Sequence, residues 1–302
     1  MNTRDANDAW VDGPAGRFWG RGGAAGLLAY DPARGVLLQH RAEWSHQGGT
    51  WGLPGGARHI GEDAISAALR EANEEAGVPA SAVSVRFSTV FDAGYWTYTT
   101  VGAEVVAPFE AEITDAESAE LRWVAPDNVE QLPLHSGFAL AWPSLKARIG
   151  SSAVLVVDAA NVIGSRPDGW WRDRAGAASR LLARLAHLTD DGVPGDWFGL
   201  ADQWHLWPEI VVVIEGQAKS AQLPTAKRLR VIKAPRDGDS AIVDEVAKLR
   251  ATVEQAARDV VVVTSDRGLR ERVHPLGART LGPAALLAAI ADEPSDAQAP
   301  GR

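Results

Sequence analysis

Apolar side chains recur at helical spacing between residues 65 and 76. The residues of this stripe are Ile65, Ala68, Leu69, Ala72 and Ala76. A stripe of this kind predicts an amphipathic helix that packs against a sheet. Gly77 follows the stripe directly and predicts the end of the helix, because glycine readily adopts the left-handed conformation of a helix terminus.

In the second half of the chain, apolar β-branched runs alternate with helical stretches. The predicted strands are residues 153–157, 210–214, 230–233 and 260–263. The predicted helices are residues 175–188, 240–257, 268–274 and 282–291. Apolar runs without alternating polar positions are typical of strands that are covered on both faces. This half therefore predicts an open parallel α/β sheet.

Length and charge divide the chain in two. Its 302 residues are long for one domain and natural for two of about 150, and an apolar content of 46% suffices for two cores. The first 150 residues hold 11 basic and 19 acidic side chains, whereas the rest holds 19 and 20, out of 30 and 39 in all. We predict a first domain over residues 16–148 and a second over residues 153–291.

Composition excludes several classes of protein. No run of eighteen apolar residues occurs and the first five residues do not begin a signal peptide, so we expect a cytoplasmic protein with no membrane partner. The absence of cysteine excludes disulfides and thiolate metal sites. A net charge of −9 disfavours a strongly basic nucleic-acid binder. Residues 293–302 are predicted to be disordered.

Charged residues cluster on the polar side of the first predicted helix. Glu71, Glu74 and Glu75 lie three and four positions apart, so they share one face and form an acidic patch. Like charges this close repel one another, which predicts a cation among them. Carboxylate oxygens suit Mg²⁺ or Mn²⁺. A glycine-bearing loop at residues 51–56 precedes the helix and can offer a carbonyl group to the same cation.

The spacing of these charges and glycines resembles the signature of the Nudix hydrolases, GX5EX7REUXEEXGU, in which U is aliphatic. The matching residues are Gly56, Glu62, Arg70, Glu71, Ala72, Glu74, Glu75, Gly77 and Val78. The resemblance covers residues 16–148. It implies an α/β/α sandwich around a mixed sheet, and an enzyme that hydrolyses the pyrophosphate bond of a nucleoside diphosphate linked to another group.

The resemblance also implies a role for each charged residue. Glu74 and Glu75 are expected to bind Mg²⁺ or Mn²⁺, and Glu71 to serve as a further ligand or as the base. Arg70 is expected to orient Glu71, while Glu62 holds Arg70 by a salt bridge or binds a second cation. The alternatives are a solvated acidic face, or a degenerate domain that binds nucleotides without hydrolysing them.

Residues outside the helix complete the expected site. By the same resemblance, the Gly55 carbonyl is a candidate ligand. Relatives often recruit a carboxylate from a later loop, for which Glu117 and Glu120 are candidates, with ordinary exposed acids as the alternative. Aromatic rings that could stack on a base are Trp44, Trp51 and Trp96, with packing as the alternative. No proline-rich extension follows the signature, which favours a nucleoside triphosphate or a small dinucleotide over ADP-ribose.

Acids and an amide follow most predicted strands of the second half. They are Asp158, Asn161, Glu215, Asp237, Asp239 and Asp266. Because the carboxyl ends of parallel strands border the ligand-binding crevice of an open sheet, these residues predict a second Mg²⁺ or Mn²⁺ site. The alternative is that each aspartate caps the helix that follows it.

Three short motifs in this half look like the PIN-like nuclease superfamily, in particular its NYN branch. They occupy residues 157–162, 237–243 and 264–269, and the similarity spans residues 153–291. The residues that it implies as ligands of a catalytic cation are Asp158, Asp239 and Asp266. It further implies that Asp237 assists and that Asn161 positions the site or the substrate. Ser240 stands where many relatives carry another aspartate.

Two functions follow from the sequence. The first is a Mg²⁺-dependent Nudix hydrolase that acts on a nucleotide. The alternative is an RNA-processing ribonuclease or an RNA-binding protein that acts through the second domain. Five basic residues between positions 227 and 236 could follow a phosphate backbone, with a solvated surface as the alternative. The base, the linked group and the oligomeric state stay open.

Overall fold

The computed structural model describes residues 5–166, 169–251 and 258–291. The chain divides into two units: the first comprises Met1–Ser151 with Ala201–His205, and the second Ser152–Leu200 with Leu206–Arg302. The predicted domain limits at residues 148 and 153 lie at this division, but no sequence signal assigns residues 201–205 to the first unit. The predicted disorder of residues 293–302 and the end of the helix predicted over 240–257 fall outside the described residues.

The first unit begins with a hairpin and continues with a larger sheet and two helices. Its strands are β1 (Trp10–Gly13), β2 (Gly16–Trp19), β3 (Ala24–Asp31), β4 (Gly35–Arg41), β5 (Trp51–Gly52), β6 (Gly55–Ala57), β7 (Val83–Asp92), β8 (Thr97–Val105) and β9 (Ser118–Val124). Its helices are α1 (Ala64–Ala76) and α2 (Ser136–Lys146).

The larger sheet is mixed, as predicted. β8 runs parallel to β3, whereas β6 and β4 share the other edge of β3 and are antiparallel to it. β6 pairs with residues 24–26 and β4 with residues 30–31, so this edge of β3 has a different partner at each end. β7 is antiparallel to β8, and β5 and β9 are antiparallel to β4.

Small side chains bring α1 close to this sheet. Ala67, Ala68, Ala72 and Ala76 on the helix are fully buried, and the strand residues in the same cluster are Ala25, Leu27, Ala29, Leu37, Val101 and Ala103. Ile65 and Leu69 pack at the edge of the cluster and are partly buried. The predicted apolar stripe is therefore the buried face of α1, although alanine makes up most of it.

Two features of the first unit differ from local expectation. Proline disfavours a helix interior, yet α2 begins at Ser136 and contains Pro143, because Phe138, Trp142 and Leu145 are buried along one face of it. The segment Ala201–His205 lies along β7, where the Val90 N–H donates to the Gln203 carbonyl at 3.1 Å.

The second unit alternates strands and helices. Its strands are β10 (Ser152–Asp158), β11 (Val193–Pro194), β12 (Trp204–Leu206, whose first two residues belong to the first unit), β13 (Glu209–Ile214), β14 (Leu229–Lys233), β15 (Arg258–Val263) and β16 (Arg279–Leu281). Its helices are α3 (Ala159–Gly164), α4 (Arg174–Asp191), α5 (Gly238–Ala251), α6 (Arg267–Val273) and α7 (Pro283–Ala289).

The open parallel sheet predicted for the second unit is confirmed. Its strand order is β14-β13-β10-β15-β16, and all four pairings are parallel. One face of the sheet packs with residues of α5 and α6, and α4 contacts β13. Neighbouring residues such as Val156 and Val157 are both fully buried, which explains why the runs lack polar alternation. No helix in the described ranges is long and apolar enough to span a membrane.

Candidate active site

Both ends of α1 are capped by the residues that flank it. The Asp63 carboxylate accepts from the N–H groups of Ile65 and Ser66, at 2.9 Å each. At the other end, Gly77 has a φ of 64° and Val78 donates to the Ala72 carbonyl at 3.1 Å. The predicted glycine stop is confirmed, since this left-handed closure favours glycine.

Arg70 joins three glutamates of the signature. Its guanidinium bonds both Glu62 oxygens at 2.9 Å, and its Nη1 bonds Glu71 at 2.8 Å and Glu74 at 3.0 Å. Arg70 also donates to the Ala57 carbonyl at 3.0 Å. The Arg70 hydrogen bonds lower the pKa of Glu62. The predicted acidic patch thus already contains one cation, the guanidinium itself.

Glu75 is the most buried acid of the signature. Only 4% of it is exposed, and its carboxylate accepts from the Gly55 N–H at 2.8 Å. Burial, with smaller contributions from Glu71, Asp115 and Glu117, raises the pKa of Glu75 from 4.5 to about 8 despite this hydrogen bond. Burial also raises the pKa of Glu71, against the effect of Arg70. Both carboxylates are therefore costly to ionise unless a cation lies nearby.

Three carboxylates meet where α1 ends. One oxygen from each of Glu75, Asp115 and Glu117 lies within 4.8 Å of the other two. Asp115 and Glu117 come from the loop between β8 and β9. The set contains hard oxygen donors only, which fits Mg²⁺ or Mn²⁺. Within the described residues it is the one group of three such side chains at this spacing.

The remaining predicted site residues are not members of this set. Glu74 is exposed and bonded to Arg70 instead. Glu120 lies within β9 and bonds Arg122 at 2.6 Å, which makes it a surface ion pair rather than a member of the set. Gly55 lies in β6 opposite Gly26, with its N–H directed to Glu75.

Tyr98 interacts with the acids of this site, and Arg41 links it to His135. Burial raises the pKa of the Tyr98 phenol, and both Glu75 and Glu71 add to this effect while Arg41 opposes it. A Cβ at Gly26 would collide with the Tyr98 hydroxyl, so glycine is needed there. Burial lowers the pKa of His135 to about 4, with help from Arg41. The imidazole is therefore neutral at physiological pH.

The three tryptophans considered for base stacking have different environments. Trp96 stacks on Phe18 with ring centroids 4.2 Å apart, and it is buried. Trp51 is buried between His40 and Arg122. Trp44 has 68% of its surface exposed, so it is the one of the three that is free to meet a ligand.

In the second unit, the acids predicted to form a metal site approach one another at the carboxyl ends of the strands. Burial raises the pKa of Asp158, and Asp239 and Glu215 raise it further. The pKa of Asp239 is raised by burial and then by Asp266. The Asp158 carboxylate accepts from the Thr264 hydroxyl at 3.0 Å. These carboxylates interact, but they do not form a set of three within 4.8 Å.

Helix capping accounts for part of this arrangement. Asp158 accepts from the Asn161 N–H at 3.1 Å, Asp266 from the Leu269 N–H at 2.7 Å and Asp237 from the Ser240 N–H at 2.8 Å. Each aspartate is thus a cap as well as a candidate ligand. Asn161 has a different role, because its side-chain oxygen accepts from both the N–H and the hydroxyl of Ser265 at 2.8 Å.

Sequence reasoning missed Asp115, a member of the carboxylate set, and Gln39 and Ser118, which are linked to it by hydrogen bonds. Asp115 stands two residues before Glu117, so the pattern of two acids just ahead of a strand was a usable signal. Gln39 was detectable as the polar residue in an otherwise apolar part of β4. Ser118 carried no signal, because serine is common where strands begin.

Comparison with known proteins assigns the family. The profile described as NUDIX domain matches residues 20–142. The Mycobacterium tuberculosis protein named "Putative 8-oxo-dGTP diphosphatase 3" is 49% identical over 155 residues, which are 48% of this chain and 71% of that protein. The Bifidobacterium longum "Nucleoside triphosphate pyrophosphatase/Nudix hydrolase fusion protein" is 42% identical over 161 residues, 50% of this chain and 33% of that protein.

Among solved structures, the crystal structure of the Nudix hydrolase RenU from M. smegmatis is 52% identical, covers 46% of this chain and 92% of its own, and has a TM-score of 0.42. The identity and coverage of the M. tuberculosis relative define the class. This chain belongs to the Nudix family, and its first unit is a Nudix hydrolase.

Proposed function

We propose that the first unit hydrolyses the pyrophosphate bond of a nucleoside diphosphate linked to a further group, with Mg²⁺ or Mn²⁺ as the cofactor. The proposed substrate class is the nucleoside triphosphates. An oxidised purine nucleotide comes first, because the M. tuberculosis relative is named as an 8-oxo-dGTP diphosphatase. The observation that carries the proposal is the buried Glu75, whose pKa is raised to about 8 beside Asp115 and Glu117.

The chain's own residues divide the work of such a reaction. A bound divalent cation neutralises diphosphate oxygens and lowers the pKa of a coordinated water. Glu75 and Glu117 are the proposed ligands, with the Gly55 carbonyl as a further one. Glu71 is proposed as a ligand or as the base that takes the proton of the attacking water. Glu74 would have to leave Arg70 to bind the cation, and its exposed position allows this.

Arg70 and Glu62 are proposed to act on the position of Glu71. The 2.8 Å bond from Arg70 limits where the Glu71 carboxylate can lie. Glu62 bonds the same guanidinium through both of its oxygens, so Arg70 is itself restrained. These contacts hold the Arg70 side chain in one rotamer, and Arg70 in turn restrains the Glu71 carboxylate. A general base has to be held at a fixed position to take a proton from the attacking water.

A substrate panel tests this proposal. The full chain would be assayed with Mg²⁺ or Mn²⁺ against 8-oxo-dGTP, the common nucleoside triphosphates, ADP-ribose, dinucleoside polyphosphates and capped RNA. We expect Glu75→Gln to lower kcat at least about a hundredfold. Glu112→Gln, an exposed acid of the same loop, is the matched control and should not change the rate. Turnover by Glu75→Gln at the wild-type rate would refute the proposal.

For the second unit, we propose a PIN-like, NYN-type domain that cleaves or binds RNA with a divalent cation. The observation that favours it is the mutual effect of acids from three strand ends, since Glu215 and Asp239 both raise the pKa of Asp158. Such a crevice at the carboxyl ends of parallel strands is a usual ligand site. Asp266 and Asp237 are proposed as its other acids.

A pair of double variants separates the two activities. Asp239→Asn with Asp266→Asn should abolish cleavage of single-stranded RNA and leave nucleotide hydrolysis intact. Glu74→Gln with Glu75→Gln should abolish nucleotide hydrolysis and leave the cleavage of RNA intact. RNA cleavage that survives the first double variant would exclude this second function, whatever the outcome for nucleotides.

A further inference from the structure

The loop that follows β8 is fastened to the last turn of α1. The Thr114 hydroxyl donates to the Glu74 carbonyl, and the Glu112 N–H donates to the Ala76 carbonyl at 3.2 Å. The Ser118 hydroxyl lies 3.4 Å from the Glu75 carbonyl. These carbonyls belong to the final turn, where a helix has no N–H groups of its own to bond them. The loop completes the helix end and thereby brings its acids to Glu75.

Within this loop, Asp115 is restrained by its neighbours. Its Oδ1 accepts from the Glu117 N–H at 3.1 Å and lies 3.3 Å from the Ser118 hydroxyl oxygen. Both contacts use the same oxygen. The carboxylate is therefore restrained on one side, while a carboxylate oxygen of Asp115 lies within 4.8 Å of Glu75 and Glu117 oxygens.

Gln39 determines where the Ser118 hydroxyl can send its proton. Gln39 is fully buried in β4, and its Nε2 donates to the Ser118 oxygen at 2.9 Å. With a donor on the serine oxygen, the hydroxyl proton is left for the Asp115 carboxylate or the Glu75 carbonyl. A reversed amide would take that proton for Gln39 itself. The observed arrangement therefore makes Ser118 a donor toward the Asp115 carboxylate or the Glu75 carbonyl.

The other end of the Gln39 amide needs a donor. Its Oε1 is buried and accepts no hydrogen bond from the described residues. Leaving a buried acceptor unpaired costs about 1–3 kcal/mol. The preceding residues Val36, Leu37 and Leu38 are buried and apolar, so a buried position in β4 does not itself require a polar side chain. The same amide bonds Ser118, whose hydroxyl oxygen lies 3.3 Å from Asp115 Oδ1, and a water coordinated by a cation is a hydrogen-bond donor of the kind that this acceptor lacks.

We propose that Asp115 is a carboxylate of the divalent-cation centre, and that Gln39 and Ser118 are positioning residues that hold it there. The proposal rests on the metal-dependent hydrolysis proposed above. Outer residues that orient ligands typically change metal affinity 10- to 100-fold, and Ser118, which acts only through Asp115, is expected to act at or below the lower end of that range.

The test measures Mn²⁺ binding to the full chain without nucleotide, from the free Mn²⁺ signal in electron paramagnetic resonance. The component lost in Glu75→Gln defines the first-unit site and separates it from any cation bound elsewhere. We expect Asp115→Asn to weaken this component about tenfold or more, and Ser118→Ala about three- to tenfold. Glu112→Gln serves as the matched control and should leave it unchanged.

A double-mutant cycle distinguishes positioning from mere support of the fold. Ser118→Ala should have no further effect in the Asp115→Asn background, because it acts through that carboxylate. Gln39→Met, which keeps the side-chain volume, should weaken Mn²⁺ in the same direction and likewise only when Asp115 is present. In hydrolysis, the Mg²⁺ concentration for half-maximal rate should rise in Ser118→Ala, while kcat at saturating Mg²⁺ approaches the wild-type value.

Two results would overturn the inference. One is wild-type Mn²⁺ affinity in Asp115→Asn while Glu75→Gln has lost binding; this refutes the role of Asp115 alone. The other is an equal effect of Ser118→Ala with and without Asp115, which would make Ser118 a general support of the loop. If Glu75→Gln itself bound Mn²⁺ and hydrolysed nucleotide normally, the proposed function would fail first.

Discussion

Glu75 should make the metal-free first unit less stable as the pH rises. Its pKa is raised from 4.5 to about 8, so between these values the folded chain holds a proton that the unfolded chain has released. Folding stability then falls as pH increases through this window. One pKa unit is worth about 1.4 kcal/mol, which gives a ceiling of about 5 kcal/mol above pH 8. Local relaxation reduces this value, and we expect about 2–4 kcal/mol.

Glu75→Gln isolates the effect. The amide oxygen can still accept from the Gly55 N–H, but the side chain has no charge to bury. In EDTA at pH 8.5, the variant should be more stable than the wild type by about 2–4 kcal/mol, and at pH 5 by less than about 1 kcal/mol. Saturating Mg²⁺ should remove this advantage, because a cation at 100 times its Kd stabilises the wild type by about 2.7 kcal/mol.

Hydrogen exchange of α1 amides, followed by mass spectrometry, measures the free energy of opening of the first unit separately from the second. Glu74→Gln is the matched control, since Glu74 is exposed and bonded to Arg70, and its stability should depend on pH as in the wild type. The reasoning is refuted if Glu75→Gln in EDTA is no more stable than the wild type at pH 8.5.

Two further predictions concern the residues around Arg70. In Gly56→Ala, the new Cβ would lie 2.7 Å from the Glu71 carboxylate, so kcat should fall about tenfold or more with little change in Tm; Gly52→Ala, whose Cβ meets nothing closer than 3.6 Å, should leave both unchanged. Glu62→Gln should lower stability by about 1–2 kcal/mol at pH 7. Since the pKa of Glu62 is lowered in the folded state, this difference should vanish as pH falls below that pKa; urea titrations that show the same difference at low pH would contradict it.

Much of the fold was readable from local patterns. The capping glycine of α1, its apolar stripe and four of the five strands of the parallel sheet were predicted close to their observed limits, because helix ends and buried strands are determined by neighbouring residues. The edge strand β16 was not predicted. Pro143 does not mark an end of α2, since buried side chains lie on both sides of it, Trp142 before and Leu145 after. Residues 201–205 had no signal at all, because a short segment carries no period.

The candidate site was only partly readable. The signature identified Glu62, Arg70, Glu71, Glu74 and Glu75 as a group, since the last four lie on α1 and Glu62 lies just before it, which makes their spacing a local property. The signature could not show that Arg70 forms an ion pair with Glu74, or that Glu120 forms one with Arg122, because side-chain partners depend on rotamers and on the neighbouring side chains in the folded structure.

The sequence by itself determined the family signature, the helix that carries it and the buried strands of the second unit, each of which depends on residues within about twenty positions of one another. Only the tertiary structure decided which carboxylates meet. Asp115 and Glu117 reach Glu75 because the loop before β9 bonds the open carbonyls of α1, and Gln39 orients Ser118 from another strand. Such contacts join residues about 40 and 80 positions apart, and no local period encodes them.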